Sequence, residues 1–374
     1  MQVSIQKIEN RQTYYYHLNG LKGMSCIFVM IGHYLGLYKY AETFTPSIDI
    51  IDFVNNSKFA FMFHERYWLY LFFVVSGYLV SKSKIENLKD LMTKIVNRFL
   101  RLALPILFSY FFIYLIYLIF GVHAVETNTI FQNKWYQSFY QFSYSIKDVL
   151  FSPIFVLLLG KHSMNWPYWC LRMMFLSSIV IYVIKFTLEK SKKKYESFIF
   201  SLLIIFVLLS YFYISEVLSA CLVGMLVSLY EKSDINTKSC YAFWFIFVAM
   251  AIDIFPRTIK TILFFASLII YIPQIKPFNS FFSSKLMQFL GNISWGIYSF
   301  HWPIICSLGA LSILKFTEYI GLTKSYYISF MGGIFLTFVL SIGFNYFIEP
   351  LITYIKNKII NYFYRILNNI PIFV

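Results

Sequence analysis

Charged residues are scarce in this sequence. Only 13% of its 374 residues are Asp, Glu, Lys or Arg, whereas 59% are hydrophobic and 22% are aromatic. Soluble globular domains carry about 25% charged residues, so this composition excludes an ordinary soluble fold. Apolar runs recur along the chain and no long polar block separates them, which predicts one integral-membrane domain over residues 1–374.

Cysteine is also rare, and the five residues, Cys26, Cys170, Cys221, Cys240 and Cys306, show no paired spacing. This pattern favours neither a disulfide framework nor a zinc site, and we predict no metal and no bound cofactor. The N-terminal segment lacks an early apolar stretch and a small-residue cleavage site. We therefore expect the first span itself to direct insertion.

The apolar runs predict an all-α, polytopic bundle of transmembrane helices. Stretches near the 17 to 25 residues that cross about 30 Å of hydrocarbon occur at 23–40, 66–82, 102–121, 165–185, 197–215, 216–230, 241–256, 258–273, 289–311 and 326–348. This gives about ten spans. The apolar segment 149–160 is too short to span comfortably and contains Pro153, so we interpret it as a re-entrant or interfacial helix.

The basic residues indicate how the bundle is oriented. The net charge is +15, but the Lys and Arg residues lie between apolar runs and not on a polar face with stacking aromatics, which argues against nucleic acid as a partner. With the N-terminus in the cytoplasm, 21 of the 32 Lys and Arg residues fall in cytoplasmic segments and 10 in outer ones. This bias predicts a multi-pass protein, surrounded by membrane lipids, with both termini in the cytoplasm.

His33 lies in the middle of the first span, and Lys22 lies just before the span begins. An ionisable group inside a bilayer is costly unless it is partnered or faces water, so it marks a candidate functional site. Eleven helical residues place His33 about 16 Å beyond Lys22 along the axis and on nearly the same face. We therefore expect a cation at the cytoplasmic mouth and an imidazole at depth.

A second cationic group, Arg98 and Arg101, shares one helix face because the two residues are three apart. Both are predicted at the same cytoplasmic surface as Lys22, where three cations suit a polyanion and arginines bind phosphate bidentately. The alternative is that they are positive-inside anchors whose side chains reach the lipid headgroups. Arg172 is the one cation predicted inside a span, where it needs a partner or a watery cavity.

Six motifs occur in an order that resembles a known family. They are LNGLKGMSCIFVMIGH (18–33), FFVVSGYLVS (72–81), RFLR (98–101), YWCLRMMFLSS (168–178), LGNISWGIYSFHWPI (290–304) and YFIEPL (346–351). Together they resemble integral-membrane acyltransferase family 3, whose bacterial members O-acylate surface polysaccharides. The opening motif of that family is an Arg followed by a catalytic His, matched here by Lys22 and His33.

This sequence departs from the family pattern at three positions. Lys22 replaces an Arg, which keeps the charge but loses the planar fork. Asn19 stands where an Asp is usual, and Met174 stands where the family has a Glu. The missing carboxylate leaves Arg172 without its expected neighbour, and Glu349 is the remaining candidate for an acid role.

The resemblance implies a membrane-bound O-acyltransferase in the bacterial cell membrane. Acetyl-CoA is the expected donor, bound by Lys22, Arg98 and Arg101, and a sugar hydroxyl of a capsular or other surface polysaccharide, or of a lipid-linked glycan, is the expected acceptor. His33 would act as general base. His301 is expected to be structural or to lie on the acceptor side, and Ser76 to permit close helix packing.

Two other functions fit the same residues. The missing Glu and the many aromatic residues, which could stack on sugar faces, also suit a transporter of polysaccharide or lipid-linked glycan that has no transfer activity. A third possibility is an inactive family member that is a structural partner in a glycan-assembly complex. Transfer of labelled acetyl groups distinguishes these functions.

Overall fold

The computed structural model describes residues 2–39, 63–133, 145–162, 164–190, 196–231 and 256–369. Within those ranges the chain is helical and contains no β-strand, which confirms the all-α class there. The helices are α1 (Gln2–Lys39), α2 (Glu65–Ser81), α3 (Leu88–Phe120), α4 (Ala124–Phe131), α5 (Ile146–Leu150), α6 (Ser152–Ile154), α7 (Trp169–Lys190), α8 (Glu196–Tyr213), α9 (Glu216–Tyr230), α10 (Arg257–Tyr271), α11 (Lys276–Phe282), α12 (Lys285–Ile304), α13 (Ala310–Ile320), α14 (Leu322–Gly343) and α15 (Glu349–Asn368).

Helices occur at nine of the ten predicted spans, and the tenth, 241–256, lies outside the described residues. By length and composition, the described chain has four helices able to cross a membrane: Leu88–Phe120, Trp166–Lys190, Lys285–Ile320 and Leu322–Asn368. A fifth is counted if Arg257–Gln274 and Lys276–Phe282, bent by 103°, form one broken span. The chain is thus a helical membrane protein, but a count of ten spans is not confirmed.

Close backbone packing joins α2 to α9 at the centre of the bundle. A methyl group on Gly77 would come within 1.8 Å of the carbonyl oxygen of Cys221, and one on Gly224 within 2.0 Å of that of Val74. Small residues permit such approaches between helices in lipid. Gly77, next to Ser76, therefore permits close packing of α2 against α9.

The last helical rod is much longer than a membrane is thick. Leu322–Asn368 is a continuous helix of 47 residues, which is about 70 Å long at 1.5 Å per residue, against about 30 Å of hydrocarbon. A π-helical turn, Phe344–Ile348, divides it into α14 and α15. The second half carries Lys356, Lys358 and Arg365, so α15 must extend out of the hydrocarbon at one end.

The apolar segment predicted at 149–160 forms a short helical stretch and not a span. It consists of α5, α6 and a π-helical turn at Phe155–Leu159, and it ends at Gly160 with a positive φ of 71°. Leu150, Phe151 and Leu159 are exposed on it. Its shortness and apolar surface agree with the predicted re-entrant or interfacial helix.

Candidate active site

A cavity of about 640 Å³ opens between α1, α2, α3, α7, α12 and α15. Its volume lies within the range of about 300 to 1,000 Å³ that is usual for ligand pockets. Helical periodicity explains which residues reach it. Asn19, Lys22 and Cys26 line it from one face of α1, and Glu349 and Lys356, two turns apart, line it from one face of α15.

Charge is concentrated at the mouth of this cavity, where Lys22, Arg101 and Lys356 are joined by the carboxylate of Glu349. Glu349 interacts electrostatically with all three cations. Three positive groups and one negative group leave a net positive charge, and charge interactions are stronger in a partly buried site than in bulk water. The mouth is therefore suited to an anion with several charges.

His33 and His301 form a pair of imidazoles deeper in the bundle. Nδ1 of His33 lies 2.9 Å from Nε2 of His301, and both side chains are buried. The rings are nearly parallel, with centroids 5.0 Å apart, and the indole of Trp302 meets the His33 ring edge-on at 5.4 Å. The pair joins α1 to α12 across 268 residues of sequence.

The hydrogen bonds of this pair fix the tautomers of both rings. Nδ1 of His301 lies 2.8 Å from the carbonyl oxygen of Ile297, which only accepts, so Nδ1 carries the proton. In a neutral His301 the Nε2 atom then accepts, and Nδ1–H of His33 is its donor. This leaves the lone pair of His33 on Nε2, which is the form that a general base needs.

The helix that carries His301 is widened just beyond it. Pro303 has no N–H, so it cannot donate to the carbonyl of Ser299 four residues earlier. The side-chain amide of Asn165 donates to that carbonyl instead, at 2.8 Å. A π-helical turn follows at Ile305–Gly309, and such turns occur frequently at functional sites.

Tyr298 contacts both the cavity and the imidazole pair. Tyr298 lines the cavity, and its ring centroid lies 6.3 Å from that of His301. The Tyr298 hydroxyl donates to the carbonyl of Pro167 and lies 3.1 Å from Sγ of Cys170. His33 is seven residues beyond Cys26, about 10 Å further along α1, and is not among the residues that line the cavity.

The chain is similar in sequence to a known protein family. A family model described as an acyltransferase domain, that of acyltransferase family 3, matches residues 15–349, nearly the whole chain. The chain belongs to acyltransferase family 3. No curated protein and no solved structure matches it. Family membership indicates a membrane acyltransferase.

All three departures from the acyltransferase family 3 pattern line the cavity. Asn19 donates to the side-chain oxygens of Asn292, at 2.9 Å, and Gln288, at 3.2 Å. A carboxylate could not donate these bonds, so Asn19 suits its partners on α12. Met174 lines the same cavity as Glu349, so this acyltransferase keeps a carboxylate in the cavity on another helix.

Arg98 is placed differently from the other predicted donor-binding cations of the acyltransferase. Its Nη2 donates to Oγ of Ser76 at 2.6 Å, and its Nε donates to Oγ of Ser178 at 2.9 Å. These bonds join α3 to α2 and α7. Arg101 lines the cavity whereas Arg98 does not appear in its lining. The assignment of Arg98 to acyl-CoA stays a prediction, and Ser76 is its hydrogen-bond partner.

Arg172 lies away from this cavity. Its side chain is exposed on α7, and a methyl group on Gly160 would come within 3.1 Å of its Cδ and Nη1 atoms. Arg172 is two residues before Met174 and therefore faces a different side of α7. The expectation that Arg172 has a partner or faces a watery cavity stays a prediction.

Sequence reasoning missed Lys356 and the partnership of His301 with His33. The spacing of Lys356 seven residues after Glu349 was a usable signal, since it equals about two helical turns. The His33–His301 contact had no such signal, because it joins two helices that are far apart in the sequence.

Proposed function

We propose that this protein is a membrane O-acyltransferase that moves an acetyl group from acetyl-CoA to a sugar hydroxyl of a capsular or other surface polysaccharide. The observation that carries the proposal is the alignment of a cationic cavity mouth with a buried imidazole pair along α1. Lys22 lines the mouth, and His33 lies about 16 Å further along the same helix.

In this proposal the cavity binds the donor from the cytoplasm. The phosphates of acetyl-CoA lie against Lys22, Arg101 and Lys356, through charge-assisted hydrogen bonds. The pantetheine arm extends up the cavity. The indole Nε1 of Trp295, which lines the cavity, is buried and has no hydrogen-bond partner in the described part of the chain. A carbonyl of the arm would satisfy this donor, whose isolation otherwise costs about 1–3 kcal/mol.

The chemical step then falls to His33. Its Nε2 takes the proton of the acceptor hydroxyl while the hydroxyl oxygen attacks the thioester carbonyl. The C–S bond breaks as the ester forms, and the imidazolium returns its proton to the departing thiolate. His301 acts as a positioning residue, because its Nε2 accepts from Nδ1–H of His33 and holds the ring in the basic tautomer. The side chain of Tyr298 must move for the thioester to reach His33.

The imidazole pair favours transfer over transport. A transporter needs sugar-binding surfaces but no base with a fixed tautomer, whereas general base catalysis needs both the lone pair and its orientation. Incubating cells that contain or lack the gene with labelled acetyl-CoA precursor, and measuring label on the surface glycan, tests the proposal. Equal labelling in both would exclude acetyl transfer by this protein.

The proposed orientation places both termini in the cytoplasm. Lys22, Arg101 and Lys356 come from three segments that the charge bias assigns to the cytoplasm, and they lie at one cavity, which supports this assignment. An alkaline phosphatase fused at the C-terminus is expected to be inactive, and one fused after residue 135 to be active. The reverse pattern would place the donor-binding mouth on the outer side.

Met174→Glu tests the missing family carboxylate. We expect the variant to fold, because its carboxylate faces a cavity that holds three cations, and to raise kcat by about tenfold, the equivalent of one charge-assisted hydrogen bond. The measurement is kcat beside that of Met174→Gln, which matches the shape without the charge. An unchanged or lower kcat would show that the missing carboxylate does not limit the reaction.

A further inference from the structure

A second, smaller cavity of about 130 Å³ lies at the end of the bundle where α2 and α9 begin. Its polar lining includes Arg66 and Tyr70 from α2, Glu216 from α9 and Ser215 just before α9, and the indole of Trp169 from α7 also lines it. A cavity of about 150 Å³ holds one six-membered ring. The space is therefore close to that of a single ring.

The polar residues of this cavity form one connected group. Nη2 of Arg66 lies 2.9 Å from Oε2 of Glu216, the hydroxyl of Tyr70 donates to the same oxygen, and Nε of Arg66 lies 3.4 Å from the Tyr70 hydroxyl. The group remains accessible, since the side chains of Arg66 and Glu216 are 57% and 33% exposed. It presents both acceptors and donors to a ligand while its two charges balance.

The small cavity and the imidazole pair lie at the same level of the bundle. α2 begins beside His33, because a methyl group on Gly32 would come within 2.9 Å of Cβ of Glu65. Arg98, by contrast, is bonded to Ser76, which is ten residues, or about 15 Å, further along α2 from Arg66. The small cavity therefore lies at the level of His33 and at the opposite end from Arg98.

This cavity lies beside the donor cavity, because Leu69 and Phe73 line both of them. Neighbouring residues of α7 also line the two cavities: Trp169 lines the smaller one and Cys170 the larger one. A ligand in the smaller cavity would thus lie one layer of side chains away from the cavity assigned to acetyl-CoA.

We infer that the smaller cavity is the acceptor subsite and binds one uncharged sugar residue of the glycan chain. This inference rests on the proposed function. An indole offers an apolar face to the C–H face of a sugar ring, and a carboxylate paired with a guanidinium offers charge-assisted hydrogen bonds to neighbouring hydroxyls. The balanced charges favour a neutral sugar over a phosphorylated or acidic one.

Direct binding of a glycan to the purified full-length protein tests this inference. The probe is a short, de-O-acylated oligosaccharide prepared from the surface polysaccharide of the producing cells and labelled at its reducing end, with fluorescence anisotropy as the readout. We expect Trp169→Ala to weaken binding roughly two- to tenfold and Glu216→Gln roughly ten- to a hundredfold. Trp169→Phe, which keeps an aromatic face, should retain more affinity than Trp169→Ala.

The matched control is Tyr319→Ala, which removes a highly exposed aromatic residue at the end of α13 and should bind as the wild type does. Equal affinity for Trp169→Ala and Tyr319→Ala, or no binding to the wild type, would overturn the inference. Monodisperse elution and unchanged acyl-CoA binding show that each variant is folded.

The same variants separate this inference from the proposed function. If glycan binding depends on Trp169 and Glu216 but no acetyl transfer occurs, the glycan site is supported and the proposed transferase function is contradicted. If acetyl transfer occurs and the Michaelis constant for the glycan is unchanged in both variants, the transferase function is supported and the inferred acceptor subsite is contradicted.

Discussion

His33→Ala is expected to reduce kcat by about 10²- to 10⁴-fold, the contribution that general acid–base catalysis usually makes. Insertion and yield should be retained, because the substitution removes a buried polar ring from an apolar stretch of α1. The measurement is acetyl transfer by the purified variant, with the Michaelis constant for acetyl-CoA determined beside kcat. That constant should not change, since His33 lies beyond the cavity that binds the donor.

Variants of His301 test the same mechanism independently. His301→Leu should lower kcat without changing the Michaelis constant for acetyl-CoA, because it removes the acceptor that orients Nδ1–H of His33. His301→Gln should restore part of the loss, since an amide oxygen can accept that bond. His123→Ala, outside both cavities, is the control. Wild-type rates in His33→Ala would make the imidazole pair structural and remove the proposed base.

Removing the charge of Lys22 or Arg101 is expected to raise the Michaelis constant for acetyl-CoA roughly ten- to a hundredfold. Each lost charge-assisted contact costs about 1.5–3 kcal/mol, and 1.4 kcal/mol is one decade. Lys22→Gln and Arg101→Gln should also weaken the dependence of binding on salt, which screens accessible charges over about 10 Å at 0.1 M. Lys22→Arg should be tolerated.

Two further arginines provide the contrast for these variants. Arg365→Gln removes an exposed cation from α15 that does not line the cavity, and it should leave the Michaelis constant unchanged. Arg98→Gln distinguishes donor binding from helix packing. A raised Michaelis constant assigns Arg98 to the donor, whereas a lower yield with an unchanged constant assigns it to its bonds with Ser76 and Ser178. Unchanged constants in all variants would show that the cavity mouth does not bind phosphates.

Features that depend on a single helix are predicted well from the sequence. Lys22 and His33 could be placed along α1 because an α-helix rises a fixed 1.5 Å per residue, and the apolar runs marked helices in the described chain. The predicted count of about ten spans was not confirmed. α2, with 17 residues, and α9, with 15, are short for about 30 Å of hydrocarbon, so local hydropathy alone does not decide whether they cross.

Contacts between helices could not be predicted in the same way. Spacing placed Arg98 and Arg101 on one face, but Arg98 turns to two hydroxyls on neighbouring helices while Arg101 lines the cavity. Arg172 was placed inside a predicted span, and the sequence alone did not indicate that its side of α7 is exposed. Which side of a helix meets a neighbour depends on tertiary packing, and a single sequence does not record it.

The layer formed by Leu69 and Phe73 has an electrical consequence. In the proposed orientation the larger cavity would open to the cytoplasm and the smaller one to the outside, so side chains between them would carry part of the transmembrane voltage. Moving one elementary charge through that voltage involves about 2.3 kcal/mol per 100 mV, whereas a neutral acetyl group crosses without electrical work. Such a layer would favour the passage of a neutral acyl group over that of a charged carrier.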